Sequence, residues 1–529
     1  MRFGCGTAER LQSNSRTFAI GDAVDDRLSA SRGARMRLPP RRRGCRVSRG
    51  AVRRVEDHLV MGQSFIACDR EQSFLMPPDV REWLPEGHLA WFVIDAVAEM
   101  DLDAFYAAYR QDGRSRPAYE PSMMVALVLY AYARGVRSCR AIERACEEDV
   151  AFRVIAAQQA PDHATIARFV ERHEHALSEL FGSVLALCAQ AGLVRVGVVA
   201  IDGTKIHANA SRDATCDYER IAREILEEAK AIDAAEDELY GEARGDELPP
   251  ELSTGRGRKK WLSEAKRRLD DQRSEQARPI ARSRPARLKE SKRRLEEELW
   301  VECQANKAYE AYRARGVMKN GRRMGPSTTP KPYAPPSTPP GTINTTDMDA
   351  RLVKGMHGWL QGYNAQAASN EQQIVIAAEV TVASPDFGHL EPMLSAARHE
   401  LQVAGVDEAP AVVLADAGYW HQPQMERIIA SGTQVLIPPD SSRRKTARPG
   451  WEGGLYAVMR QALATDDGAE LYRKRQQLIE PVFANTKFNR RMGRFHRRGR
   501  SAVRTEWRLM TATHNLLKLH KHQLATAIG

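Results

Sequence analysis

The stretch VRVGVVAIDGTKIHANAS, residues 194 to 211, constrains the fold most. Val194, Val196, Val198, Val199 and Ile201 make an apolar, β-branched run, the pattern of a strand buried on both faces of a sheet. The run stops on Asp202, followed at once by Gly203. A carboxylate at the end of a buried strand is costly to desolvate unless something positive meets it. Two readings compete: Asp-Gly as a common turn dipeptide, and Asp202 as a metal ligand. The rest of the chain has to decide between them.

At 529 residues the chain is too long for one core, so three or four folding units are expected. No apolar run reaches the ~20 residues of a membrane span, and no signal-peptide pattern is visible. Eight scattered cysteines without CxxC or Cys/His spacing read as reduced thiols in a cytoplasmic protein, with no structural zinc. The net charge of +11 is uneven: residues 481 to 529 hold 11 Lys/Arg against a single acid. Such a basic end points to a polyanionic partner and no membrane.

Taken in order, residues 1–60 are rich in Arg, Gly and Ser and show no sustained period, as expected of a disordered basic extension. They read either as a DNA-binding arm or, the preferred reading, as upstream mis-translation before a start at Met61. Residues 61–192 are helical. PSMMVALVLYAYARG begins on Pro121 and ends on Gly135, a second helix runs from Ser138 through SCRAIERACEEDVAFRVIA, and Asp162 or His163 opens a third. This is the outline of a helix-turn-helix-like DNA-binding domain, or of an ordinary helical bundle.

After the first strand, residues 215–342 read as a charged helical insertion, with Leu288, Leu295 and Leu299 at heptad-like spacing, closed by the Pro-rich linker STTPKPYAPPSTPPGT. Strands are then expected over Trp359–Ala367 and Ile374–Val382, followed by the helix LEPMLSAARHEL. The buried strand APAVVLADAGYW ends on Asp416, and the helix QPQMERIIASG and strand TQVLIP follow. Three consecutive strands feeding β/α units give an α/β fold with a ribonuclease-H-like mixed sheet, made from residues 193–214 and 343–529.

Two strands of one sheet that each end in an acid, Asp202 and Asp416, weaken the turn reading. Side by side they repel, and Mg²⁺ with its oxygen ligands is the natural neutraliser. The candidate third acid is Glu480, set in the spacing Y-x2-R-x4-E-x6-K by Tyr472, Arg475 and Lys487. Pro481 is expected to kink the helix there or to start a new one.

AIDGTKIHANAS, DAGYW and Y-x2-R-x4-E-x6-K, with TDMDAR, GYNAQ, PDHATIARF and THNLLKL, resemble the DDE transposases of bacterial insertion sequences, and most closely the group called IS eleven-eighty-two. The resemblance covers almost everything from Met61 to about residue 520. It implies a catalytic triad of Asp202, Asp416 and Glu480 holding two Mg²⁺ ions, with Mn²⁺ as a substitute. It also implies binding to terminal inverted repeats, cleavage and strand transfer on double-stranded DNA, and a homodimer associated with the nucleoid. Tyr472, Arg475 and Lys487 fall on the family's signature. Arg490, Arg491, Arg494, Arg497 and Arg498, around Phe495 and His496, would neutralise backbone phosphates.

One departure is visible. Related families place three residues between the arginine and the acid and this chain places four, so Glu470 is the alternative should the register differ. A hydrolytic nuclease of the same fold and an inert DNA-binding remnant remain the rival functions. His207 and His421, each five residues past an aspartate, read as substrate-proximal or structural.

Overall fold

A helix that is apolar on every side has to be buried on every side. Helices α1 (Leu89–Ala98), α2 (Asp103–Tyr106) and α3 (Pro121–Ala133) begin the fold, and every residue of α3 from Met123 to Ala133 is buried. Glu120 caps α3 by accepting from the Met123 amide at 2.7 Å, and Pro121 fills its first turn. Gly135 ends it with φ +78, where a Cβ would stand 2.7 Å from the Arg490 carbonyl. Only glycine meets both demands.

The computed structural model describes residues 79–109, 117–232, 283–316, 336–355, 358–440 and 453–528, with shorter pieces between them. They belong to one unit, Met61–Gly529. The basic extension 1–60 and residues 327–331, 333 and 335 of the Pro-rich linker lie outside the described residues. No described helix is long and apolar enough to cross a membrane.

The single helix expected from Ser138 is two, α4 (Cys139–Glu148) and α5 (Val150–Ile155). Asp149 breaks it: its backbone is extended (φ −102, ψ 125) and its carboxylate caps α5 at the Ala151 amide, 2.8 Å away. Short polar side chains compete with the helix in this way. Asp162 does the same for α6 (His163–Arg172), whose Ile166 and Phe169 are buried, and α7 (Glu174–Gln190) follows.

A two-residue bridge joins β1 (Phe65–Ile66) to β2 (Ala118–Tyr119). The main sheet then uses β3 (Val198–His207). Next, β4 (Thr215–Asp217) and β5 (Thr342–Asn344) pair antiparallel at the two ends of the insertion, which holds helices α8 (Tyr218–Ile232) and α9 (Arg284–Arg315). Cys216, Ile221, Leu288, Leu295, Ile343 and Met348 give the insertion a small core of its own. Leu299, expected on that seam, is only half-buried.

The remaining strands are β6 (Arg351–Gly355), β7 (Gly358–Ser369), β8 (Val375–Thr381), β9 (Val412–Leu414) and β10 (Gln434–Leu436). The order is β10-β9-β3-β7-β6, and β7 is long enough to pair β6 along one half and β8 along the other. β3 runs antiparallel to β7 and parallel to β9, so the sheet is mixed. Helices α10 (Leu390–Val403), α11 (Gln422–Ala430), α12 (Gly454–Ala464), α13 (Asp466–Ala484) and α14 (Arg500–Ile528) complete the described chain.

Helix α14 joins the two halves. It packs on α3 and α7 on one side and on β8 on the other, so the helical region and the sheet share one core. Asn515 receives the Val375 amide and donates to its carbonyl, both at 2.8 Å, as a neighbouring strand would. Arg508 is buried between Glu400 (2.6 Å) and the Ser178 carbonyl (2.8 Å). Glu506 accepts from buried Arg137 at 2.7 Å and from the His496 and Arg497 amides.

Removing one member of such a pair strands the other. Glu506→Ala should therefore cost about 3–5 kcal/mol of stability, read as a lowered urea midpoint. An unchanged midpoint would show that the pair contributes nothing.

Candidate active site

Asp202 is the fifth residue of β3 and not its end, because the strand continues to His207 with Asp202 opposite Ala367 of β7. Gly203 makes no turn. A Cβ there would lie 2.3 Å from Gln366 Nε2 and 2.5 Å from Asp386 Oδ1, so the glycine leaves room for polar groups crossing the strand. The turn reading is thus corrected for Asp202. It holds locally for Asp416, which stands two residues beyond β9 and caps the short 3-10 turn Ala417–Tyr419 through the Gly418 amide at 2.8 Å. The parallel register Val198↔Val412, Val199↔Val413, Ala200↔Leu414 carries both acids to the same distance past the last pair.

Asp202 accepts from its neighbour Gly203 at 2.7 Å and from Arg475 Nη1 at 2.8 Å. Burial pushes its carboxyl up to about 6. Arg475 opposes that rise, while Asp416 and then Asp386 add to it. Asp416 is also raised, by burial first and by Asp386 second, against the Gly418 amide, Arg475 and Lys205. Buried like charges favour a neutral or metal-bound state, and both causes act here.

Asp386, absent from the sequence reading, takes part in the same field. It accepts from Lys205 Nζ at 3.0 and 3.3 Å, Asn364 Nδ2 at 2.8 Å and Gln366 Nε2 at 2.7 Å. Gln366 in turn accepts from the hydroxyl of buried Tyr419. The available signal was GYNAQ: Asn364 and Gln366 are polar at alternate positions of a strand whose neighbours are apolar, so they share a face.

Helix α13 runs through Pro481 and continues as a π-turn, Asn485–Asn489, so no new helix starts there. Proline deprives the Gln477 carbonyl of its helical donor. Gln373 Nε2 replaces that donor at 2.8 Å, and Ser369 Oγ donates to the next carbonyl, Leu478, also at 2.8 Å.

Half-buried Tyr472 lies under the Arg475 guanidinium, 5.9 Å from the ring centroid, and Arg475 reaches Asp202. Lys487 Nζ donates to the Lys205 carbonyl at 2.9 Å, so it holds the backbone of β3. Glu480 is exposed on the same helix, with no hydrogen bond or ion pair among the described residues. At 100° per residue it stands about 140° round the helix from Arg475.

The basic cluster divides. Arg490, expected to contact phosphates, is buried and donates to the carbonyls of Met510 (2.7 Å) and Tyr132 (2.8 Å) and to Thr513, so it is a packing residue of the α3–α14 junction. Arg497 pairs with Glu174 at 2.5 Å and Arg498 donates to the Asn209 carbonyl at 2.9 Å, both half-buried. Arg491 and Arg494 are exposed. Phe495 is buried against Tyr363 and its amide donates to the His207 carbonyl at 2.8 Å, which fixes the end of β3. His421 caps α11 and His207 is exposed at the strand end.

Among the described residues no three His, Cys, Asp or Glu side chains meet as a metal-binding group. The donors nevertheless suit Mg²⁺, which is held by one or two carboxylates and completes its shell with water and substrate phosphate oxygens. Asp202 and Asp416 would supply that pair, and Asp416 Oδ2 receives no hydrogen bond among the described residues.

A carboxyl raised in the folded state binds protons more tightly there than in the unfolded chain. Its charge therefore lowers stability as pH rises from the unfolded value through about 6. In metal-free buffer, Asp202→Asn should raise the melting temperature at pH 7 and leave it unchanged near pH 4, as followed by calorimetry. A melting temperature lowered at pH 7 would show that the ion pair with Arg475 outweighs burial.

Two family profiles match the chain. One, described as a transposase domain (DUF772), matches residues 78–172, and the other, described as a transposase DDE domain, matches residues 439–520. The first spans α1 to α6. The second contains Tyr472, Arg475, Glu480, Lys487 and the arginine cluster, while Asp202 and Asp416 lie between the two matches. No curated protein and no solved structure matches the chain. The two transposase domains support a DDE transposase.

Proposed function

We propose that this chain is the transposase of an insertion sequence of the IS eleven-eighty-two kind, binding terminal inverted repeats, cutting DNA at the element's ends and joining it to a target. The observation that carries this reading is the parallel β3/β9 register, which brings Asp202 and Asp416 side by side with Arg475 on the first of them. The order β10-β9-β3-β7-β8, with three antiparallel strands followed by two parallel ones, supports a ribonuclease-H-like catalytic domain.

Asp202 and Asp416 would hold divalent ions, Mg²⁺ or in its place Mn²⁺, with Glu480 as the third acid. When bound, such ions stabilise the charge that develops in an in-line displacement at a phosphodiester. Arg475 orients the Asp202 carboxylate and Tyr472 supports Arg475 from below. Glu480, exposed and about 140° round α13 from Arg475, would have to turn toward the pair to join it. Arg491 and Arg494 present their charge to the DNA backbone, with Arg497 and Arg498 beside them, and Lys487 acts by fixing β3. Helices α4 to α6 are the proposed contact with the repeats. Two ends have to be brought together, so the active species is a homodimer on DNA, in the cytoplasm and associated with the nucleoid.

Asp202→Ala and Asp416→Ala should each abolish Mg²⁺-dependent nicking of duplexes made from the DNA flanking the gene, while binding to them persists. Nicking by either variant would remove that acid from the site. Glu480→Gln should do the same, and a fully active variant would move the third-acid role to another carboxylate, Asp386 being the nearest to the pair by charge coupling. Joined target DNA in the product mixture separates a transposase from a nuclease that only hydrolyses.

Removing Arg491 or Arg494 should weaken binding about equally across sequences and reduce the slope of log affinity against log salt by roughly 1 each. An unchanged slope would place both arginines off the DNA.

A further inference from the structure

We propose that Lys205 contacts a phosphate of the bound strand at the acidic site and that Asp386 is the residue that positions it. This rests on the transposase reading. Lys205 lies on β3 three residues past Asp202, so its side chain leaves the opposite face of the strand, the face of Gly203, Asn364 and Gln366, and is only 14% exposed. An ammonium has three N–H donors, and among the described residues this one donates to the Asp386 carboxylate alone, at 3.0 and 3.3 Å. Donor capacity is left over for an incoming anion.

The surrounding groups are built to hold that ammonium still. Asp386 is fixed from behind by Asn364 and Gln366 on one face of β7, and Gln366 is fixed by the hydroxyl of buried Tyr419. The backbone of Lys205 is held from the other side, where Lys487 Nζ donates to its carbonyl at 2.9 Å. Gly203 is what admits the assembly, because a Cβ there would collide with Gln366, Asp386 and Asn364 together. A lysine whose only task was to neutralise Asp386 would need neither a second cation behind its backbone nor a chain of three further side chains behind its partner.

The charges agree. Asp202, Asp386 and Asp416 share one field, and the cations that act on this group are Arg475, already on Asp202, and Lys205. Lys205 is therefore the cation on the Asp386 face of β3 that is left to meet substrate, as Arg475 is the cation on the Asp202 face. Lys487, read from the sequence as a phosphate contact, acts through it.

The test is a scan of gene-flanking duplex DNA in which single phosphates are replaced, one at a time, by uncharged methylphosphonates, cut by the full-length protein with Mg²⁺. Wild type should be slowed when the phosphate that Lys205 meets is neutralised. Lys205→Met should cut native DNA about a hundredfold more slowly, the scale of losing one charged donor at a reacting centre, and should be indifferent to neutralisation at that one phosphate while keeping its sensitivity elsewhere. Asp386→Asn should shift the same phosphate's sensitivity part of the way.

Should Lys205→Met fail to fold with Asp386 unpaired, Lys205→Met/Asp386→Asn removes both charges and carries the same readout. A variant that keeps the wild-type pattern at every phosphate, or cuts native DNA at the wild-type rate, overturns the role of Lys205 while leaving the transposase reading standing. A wild-type protein that leaves the ends uncut overturns both.

Discussion

The repulsion between Asp202 and Asp416 is the constraint on which the site depends. Parallel pairing of β3 with β9 carries both to the same level of the sheet, and burial raises each above its ordinary carboxyl value. A fold assembled for stability alone would avoid that arrangement, since like charges out of water cost free energy that local partners return only in part. The neighbouring groups reduce the cost without removing it. Arg475 takes one oxygen of Asp202, Lys205 takes Asp386, and the Gly203 and Gly418 amides each donate to the adjacent acid.

The surroundings serve to keep those groups in place. α13 passes through Pro481 with a substitute donor for the Gln477 carbonyl, which the β7–β8 turn supplies from Gln373. α14 closes the other side: Trp507 donates to the Gln366 carbonyl, Asn515 completes the hydrogen bonding of Val375, and Glu506 gathers Arg137 with the amides that follow Phe495. The segment that leads from α13 to α14 thus fixes the far end of β3, through Phe495, and the register of the strand bearing Asp202.

Much of this was legible in the residues. Apolar, β-branched runs marked β7, β8, β9 and β10 to within a few positions, while β3 runs five residues past its expected end and β6 was not expected at all. The acids at 202 and 416 stood out because nothing structural required them there. What escaped has physical causes. Asp202 looked terminal because glycine after aspartate signals a turn, whereas Gly203 is small so that side chains of β7 and Asp386 can cross it. Asp149 looked like one more helical residue until its carboxylate found the amides of α5. Arg490 looked like its basic neighbours, and a run of arginines carries no mark of which one faces inward. Asp386 sits in a loop after β8, and only the tertiary fold brings it to Lys205. The exposed position of Glu480, away from the two aspartates, likewise depends on how α13 is rotated, which spacing alone does not fix.

The central claim is that the Asp202–Asp416 pair is a site for a divalent cation. Titration of Mn²⁺ into the full-length protein, followed by the loss of the free-ion paramagnetic resonance signal, reads this without DNA or turnover. The account predicts saturable binding to wild type that is abolished in Asp202→Asn and in Asp416→Asn, both still folded. Equal Mn²⁺ uptake by wild type and both variants would contradict it.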